Sequence, residues 1–401
     1  MGIITNPKKI EDVLTRGVEK IIEKESLLKK LKSGKKLRIK LGVDPTGPKI
    51  HLGRAVQFWE LRTFQELGHQ VVLIIGDFTA QIGDASDKTS MRKSLSEKEV
   101  KENMKGYLGQ IGKILDMKKV ELHHNSEWLN KLSAKDLLAL SKNFTAQQMI
   151  QRRNFKERWE AGKPIGLHEL DYPLFQGYDS VAVKADVEIG GYDQLFNLKV
   201  GREIQEIFGQ PPQDIITLKM LPGLDGRKMS TSWKNVVNII DEPKDMYGKI
   251  MSLKDELIPL YFELCAFLSE KESKEVKKQL NKKEGNPRDL KAKLAKRIVC
   301  LYWGEEKAQK SEEEFNKIFR EKNLPSKIQV LKVSKDIYPV VDLLFESKLV
   351  SSKAEAKRVI SQGGVKINGK TLKDWRGDIK INGKIIIQIG RRKFVKVVKF
   401  F

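Results

Sequence analysis

The chain is short of several things, and each shortage narrows what it can be. It has two cysteines in 401 residues, Cys265 and Cys300. Both lie in helix-like apolar patterns, so buried thiols in a reducing compartment are expected, rather than a disulfide scaffold or a metal pair. No apolar run approaches the roughly 18–20 residues that a membrane-crossing helix requires. The opening MGIITNPKKIEDVL lacks the apolar core and small-residue cleavage site of a signal peptide. Cytoplasm is therefore the expected location, with no membrane partner. Acidic residues are also scarce, 53 against 76 Lys and Arg, for a formal net charge of +23. Such an excess favours a polyanionic partner, nucleic acid before membrane, although lysine-rich helix faces such as Lys271–Lys283 need only be solvated.

What is present is enough length for two or three domains and one organising stretch, LRIKLGVDPTGPKIHLGR, residues 37–54. Leu37–Val43 alternates like a strand. Asp44-Pro45-Thr46-Gly47-Pro48 is turn-rich, and His51-Leu52-Gly53-Arg54 opens an amphipathic helix. A strand, a tight loop and a helix N-terminus make an anion site, because the first N–H groups lack partners and the dipole favours negative charge. The other reading is an ordinary strand–helix turn in which His51 only starts the helix.

Further along, residues 8–32 read as a helix, and Gln70–Ile75 as a buried parallel strand leading into a polar loop, 76–84. A charged helical segment over 94–165 is broken by a strand-like Lys119–His123. Tyr172–Lys184 reads as a helix, Ala185–Ile189 as a strand, Leu195–Phe208 as a helix and Ile215–Met220 as a strand. A glycine-bearing loop, PGLDGRKMSTS, follows. Strands alternating with helices predict a doubly wound α/β sheet, with ligands at the carboxyl ends of its strands. Residues 243–323 read as helical, Ser326–Val333 as a linker, and about 338–401 as a small helix-then-strand domain. Taken singly, Asp179 reads as a helix-surface charge, Asp84 as a turn residue, and Tyr172 before Pro173 as a helix start.

Taken together, the motifs carry a resemblance. His51-Leu52-Gly53 resembles the HIGH signature of class I aminoacyl-tRNA synthetases, and Lys228-Met229-Ser230-Thr231-Ser232 resembles their KMSKS loop. With YPLFQGYDS (Tyr172, Gln176, Asp179) and GGYDQ (Asp193, Gln194) between them, the set is similar to the bacterial-type tyrosyl-tRNA synthetase family. The resemblance implies a Rossmann-type doubly wound parallel sheet as a catalytic domain over 1–235, with a largely helical insertion over about 120–168. A helical, anticodon-side domain over 236–325 and a linker over 326–337 would follow. It implies ATP as substrate, with Mg²⁺ carried by the ATP phosphates, and L-tyrosine and tRNA(Tyr) as partners of a homodimer.

By the same resemblance, His51, Thr46 and Lys228 are catalytic, acting on phosphates in the transition state. Asp44, Gly53, Arg54, Gly191, Asp193, Lys228, Met229, Ser230 and Ser232 would bind ATP. Gly42, Asp84, Tyr172, Gln176, Asp179 and Gln194 would bind tyrosine. Asp84, Tyr172 and Gln176 surround its ammonium group, Asp179 accepts from its phenol, and Gln194 orients its carboxylate. Three positions depart from the family pattern. Arg54 replaces the second histidine of HIGH, Thr231 replaces the second lysine of KMSKS, and Lys40 stands where many tyrosyl enzymes have a tyrosine.

The tail resembles an S4 RNA-binding domain over 338–401, through SSKAEAKRVISQGGVKINGK, residues 351–370. Lys353, Lys357 and Arg358, with Arg391 and Arg392, would meet RNA phosphates. A small basic packing domain is the plainer reading. Two other functions fit less of the sequence: a tryptophanyl-tRNA synthetase, disfavoured by Asp179, Gln194 and the tail, and a non-catalytic RNA-binding paralogue, favoured only by Arg54 and Thr231.

Overall fold

The structure, a computed structural model, describes residues 2–84, 95–230, 233–268, 270–281, 286–319, 328–381, 383–390 and 393–400. These form two compact units, 1–304 and 305–401.

The first unit is built on a six-stranded sheet: β1 (Val18–Ile22), β2 (Arg38–Val43), β3 (Gln70–Ile75), β4 (Val120–His124), β5 (Val187–Gly191) and β6 (Asp214–Leu218). Its order is β1-β6-β5-β2-β3-β4. All pairs are parallel except β1 with β6. The chain runs outward from β2 through β3 to β4, then returns to the other side of β2 with β5 and β6. The order therefore reverses between β2 and β5, and such a switch point opens a crevice at the strand carboxyl ends. Residues 71–75, β5 and β6 are buried throughout, as continuous apolar runs covered on both faces should be.

The expected helix over 8–32 is corrected. Asn6 caps a helix Pro7–Thr15, Gly17 turns with φ +68°, β1 follows, and a second helix covers Lys24–Lys32. A Cβ at Gly17 would also collide with Leu264. The β-branched Val18, Ile21 and Ile22 suit a strand, and pairing with β6 satisfies that sheet edge. The helix expected to start at Tyr172 begins earlier, at Leu167, and Pro173 lies inside it. Its start is held by Glu169, which accepts from the Gly166 N–H at 2.8 Å and is ion-paired with the buried Arg158.

The stretch expected as one helical domain over 236–325 is divided between the units. Pro243–Ile250, Ile258–Cys265, Glu270–Asn281 and Pro287–Trp303 fall in the first, and Glu305–Phe319 in the second. The second unit contains β7 (Gln329–Val333), β8 (Ile337–Pro339), β9 (Val365–Ile367), β10 (Lys370–Leu372), β11 (Asp378–Lys380), β12 (Lys384–Ile389) and β13 (Lys393–Lys399). One sheet runs β10-β9-β12-β13-β7, and β11 pairs with β8. The expected linker over 326–337 thus contains β7, which pairs in parallel with β13. Its alternating Val330-Leu331-Lys332-Val333 carries that strand pattern. Helices Val340–Glu346 and Lys353–Ser361 close this unit's core around Leu343, Ile360, Val365 and Val395.

Candidate active site

A cleft of about 710 Å³ opens where β2, β3, β5 and β6 end. Every described residue expected to bind ATP or tyrosine, and every one expected to be catalytic, lines it. Ser232, together with Thr231, lies outside the described residues.

The β2 turn builds one wall. His51 caps the helix Leu52–Glu66, and its Nδ1 accepts from the Arg54 N–H at 3.3 Å. That bond leaves the neutral ring's proton on Nε2, a donor. Burial, with the Arg54 and Lys228 cations near it, pushes the imidazole down to about 4, so His51 acts as a neutral donor at physiological pH. Arg54 donates to the Asp44 carbonyl at 3.0 Å, the Tyr107 hydroxyl at 2.8 Å and Thr46 Oγ1 at 3.4 Å. The arginine that replaces the motif's second histidine therefore braces its own loop while its charge faces the cleft. A Cβ on Gly53 would stand 3.3 Å from both His51 Nδ1 and Met229 Sδ, so the helix start and the Lys228 loop meet there.

Asp44 ties the turn to two other elements. Its Oδ1 accepts from Thr79 Oγ1 at 2.8 Å and its Oδ2 from the Tyr172 hydroxyl at 2.9 Å. Gly76 lets the carboxylate approach, because a Cβ there would collide with Oδ1. The Lys228 loop is held by Asn235, whose amide donates to Asp225 Oδ1 at 2.8 Å and the Lys228 carbonyl at 3.0 Å, and accepts from the Ser230 N–H at 2.8 Å. Lys228 itself is exposed.

The opposite wall is the helix Leu167–Ala182. Tyr172, Gln176 and Asp179 occupy positions i, i+4 and i+7, one face of the helix, and all three reach the cleft. Asp179 is buried. Its Oδ1 accepts from Trp128 Nε1 at 2.8 Å and its Oδ2 from Asn125 Nδ2 at 3.4 Å. Burial pushes its carboxyl up to about 7, against the downward pull of Lys40 and of those two donors. Asp84 accepts from Arg152 Nη2 at 2.5 Å and from Gln194 Nε2 at 2.6 Å.

Lys40 is fully buried and faces Glu188 across β2 and β5 in direct register. Its ammonium group lies 2.8 Å from Glu188 Oε1, 2.7 Å from Ser180 Oγ and 3.0 Å from the Gln176 carbonyl. All three of its protons are thus used beneath the cleft, and Lys40 acts there through charge and position.

Sequence reasoning missed Asn125, Trp128, Arg152, Glu188, Asn197 and Asn235. Asn125 and Trp128 follow the strand at 120–124, and ligand residues collect just past the carboxyl ends of such strands. Arg152 sits in a charged helical stretch with no local signal. Among the described residues of the second unit, Lys353, Lys357 and Arg358 are exposed, as their expected role requires. Lys353 also pairs with Asp342 at 2.8 Å, and Lys357 stacks over Trp375 at 4.6 Å. Arg391 and Arg392 lie outside the described residues.

The arrangement offers neutral and cationic donors on one side, two buried carboxylates on the other, and glycines where a flat ligand would pass. The profile of the family "tRNA synthetases class I (W and Y)" matches residues 32–320, and that of the S4 domain matches 339–374. The chain is 45% identical over 392 residues to a tyrosine–tRNA ligase of Thermotoga maritima, covering 98% of each. It is 46% identical over 398 residues to one of Carboxydothermus hydrogenoformans, covering 96% of this chain and 97% of that one. In fold it is similar to a C-terminally truncated mitochondrial tyrosyl-tRNA synthetase of Aspergillus nidulans, with TM-score 0.62, 22% identity, and 78% of this chain and 94% of that one covered. It is also similar to a tryptophanyl-tRNA synthetase of Plasmodium falciparum, with TM-score 0.56, 16% identity, and 78% and 90% covered.

Proposed function

The chain belongs to the class I tRNA synthetases of the tryptophan and tyrosine group, and on that footing we propose how its cleft works. It is an aminoacyl-tRNA ligase, and its reaction is the ATP-dependent joining of tyrosine to tRNA. The tyrosine carboxylate attacks the α-phosphorus of ATP, forming tyrosyl-adenylate and releasing pyrophosphate. A hydroxyl of the terminal ribose of tRNA(Tyr) then attacks the acyl carbon and releases AMP.

Neither step needs a protein nucleophile. The site has to hold two anions close together and stabilise the charge that develops on phosphate. One observation carries the assignment: the buried carboxylates Asp84 and Asp179 line the same cleft as His51, Arg54 and Lys228. His51 Nε2 and Thr46 Oγ1 donate to the phosphates in flight, with Lys228 closing on the pyrophosphate from its loop. Gly53, Gly191, Met229 and Ser230 flank the nucleotide, and Asp193 accepts from the ribose hydroxyls. Asp84, Tyr172 and Gln176 receive the ammonium group, Gln194 orients the carboxylate, and Gly42 borders the ring. Asp179 takes the phenolic hydrogen bond. Without a hydroxyl partner that carboxylate would remain buried and underpaired, which disfavours phenylalanine. Among the described residues no group of three or more His, Cys, Asp or Glu is placed to hold an ion. We assign the Mg²⁺ that accompanies ATP to phosphate oxygens and water.

The S4 domain presents Lys353, Lys357 and Arg358 to tRNA phosphates. We assign the chain to a homodimer acting in the cytoplasm; among the described residues no helix is long and apolar enough to cross a membrane. Amino-acid-dependent ATP–pyrophosphate exchange tests the reading. Exchange with tyrosine is expected. Exchange with tryptophan instead would move the amino-acid assignment, and none with either would favour an RNA-binding paralogue.

A further inference from the structure

Behind the residues that touch the cleft runs an unbroken line of hydrogen-bonded side chains. Arg152 donates to Asp84, and Gln194 Nε2 donates to the other oxygen of Asp84. Gln194 Oε1 accepts from Asn197 Nδ2 at 3.0 Å, and the same nitrogen donates to Gln176 Oε1 at 2.9 Å. Gln176 Nε2 ends the line at Glu188 Oε1, 3.5 Å away.

The polarity of this line is forced. Asp84, ion-paired with Arg152, can only accept, so Gln194 must turn its amide nitrogen toward it and its oxygen away. Asn197 must then donate to Gln194. Its second N–H meets Gln176 Oε1, so the amide nitrogen of Gln176 is left facing Glu188. Asn197 is 1% exposed, and its own oxygen has no hydrogen-bond partner among the described residues. Both of its donors are engaged while its acceptor is not, so donation is what the amide contributes at this position.

We propose that Asn197 is a positioning residue for amino-acid activation: one of its donors is anchored on Gln194 and the other holds Gln176 with its carbonyl oxygen as the acceptor offered to the substrate's ammonium group. This rests on the reading that the cleft activates tyrosine. One lone pair of Gln176 Oε1 takes Asn197 and the second is directed to the ammonium group. A reversed amide would place N–H groups against that cation.

Asn197→Asp tests this, because it keeps the shape and replaces both donors with acceptors. The KM for tyrosine should rise about 10- to 100-fold, as expected for losing a hydrogen bond to a charged group. The KM for ATP and the kcat of pyrophosphate exchange should stay within about threefold, the pattern of lost ground-state binding. Two competitive inhibitors separate positioning from general damage. Tyramine, which keeps the ammonium group, should lose affinity in step with tyrosine. 4-Ethylphenol, which lacks both that group and the carboxylate assigned to Gln194, should not. Asn197→Ser keeps one donor and should give a smaller loss with the same dependence on the ammonium group; if the aspartate variant does not fold, the serine variant carries the test. Equal losses for both inhibitors, a parallel rise in the KM for ATP, or an unchanged KM for tyrosine would overturn the proposal. A wild-type enzyme without tyrosine-dependent exchange would instead overturn the activity on which it rests.

Discussion

Asp179→Asn should make the protein more stable while disabling it. The Asp179 carboxyl is held at about 7 in the folded chain, against an ordinary 3.8, chiefly by burial. Burial thus opposes its charged form, and the cost appears as pH rises from 3.8 and is complete above 7. At about 1.4 kcal/mol per pH unit, that gap amounts to roughly 4 kcal/mol at pH 8. Asparagine carries no such charge. Its oxygen can keep the Trp128 bond, but its NH₂ would face the Asn125 amide and forgo a hydrogen bond worth about 1 kcal/mol. The net gain is about 3 kcal/mol at pH 8. It should shrink as pH falls, cross zero at about pH 4.5, and reverse below about pH 3, where aspartate is neutral in both folded and unfolded chains and only the lost hydrogen bond remains. Denaturant titrations followed by tryptophan fluorescence at pH 8, 6.5 and 5 measure it. Over the same range the wild-type KM for tyrosine should climb below about pH 7, as the phenol's acceptor is protonated, by up to tenfold per pH unit. In the variant the KM should be high and flat. A variant no more stable than wild type at pH 8, or a gain indifferent to pH, would refute the reasoning.

Lys40→Met strands Glu188 in the interior and should cost about 3–5 kcal/mol of stability, most of it recovered in the Lys40→Met, Glu188→Gln double variant. A double-mutant cycle in which the two changes simply add would show that the pair is not coupled. Losing the Lys40 cation should also move the acid limb of the tyrosine KM upward in pH, since that cation pulls the Asp179 carboxyl down. His51→Gln should lower the rate of adenylate formation about 100-fold, as removal of one transition-state donor does. Because His51 stays neutral down to about 4, the profile between pH 5.5 and 8 should keep its shape; loss of a limb near 6.5 would contradict a neutral donor. Removing residues 305–401 should impair tRNA charging far more than pyrophosphate exchange, and full-length affinity for tRNA should fall with salt. Equal losses in both assays would deny the second unit an RNA role.

The parallel sheet was legible because its strands are apolar runs ending in glycine-bearing loops, and those loops carry the motifs. The candidate residues come together for that same reason, since a doubly wound sheet gathers its carboxyl ends into one crevice. β1 escaped notice because five residues with two exposed charges look like a continuation of the flanking helix until Gly17 is recognised as a turn. Lys40 showed only as a departure. Its partner Glu188 lies 148 positions away, and strand register, which local patterning does not encode, brings the two together. Asn197 and Arg152 were silent because they act on other protein side chains, and nothing in their neighbouring sequence marks a residue that touches no ligand.

The helix carrying Tyr172, Gln176 and Asp179 also behaves as a gauge. At 1.5 Å per residue it sets Tyr172 and Asp179 about 10 Å apart along its axis, with Gln176 between them. On the proposed assignment of these three residues, the length of amino acid that fits between ammonium and phenol contacts is written into residue counts, three and four, on one rigid rod. A single inserted or deleted residue between 176 and 179 would swing Asp179 about 100° around the axis and out of the cleft. Substitutions can change what is grasped at either end of that rod. Accepting a longer or shorter amino acid would require moving a contact by a whole turn or placing it on another element.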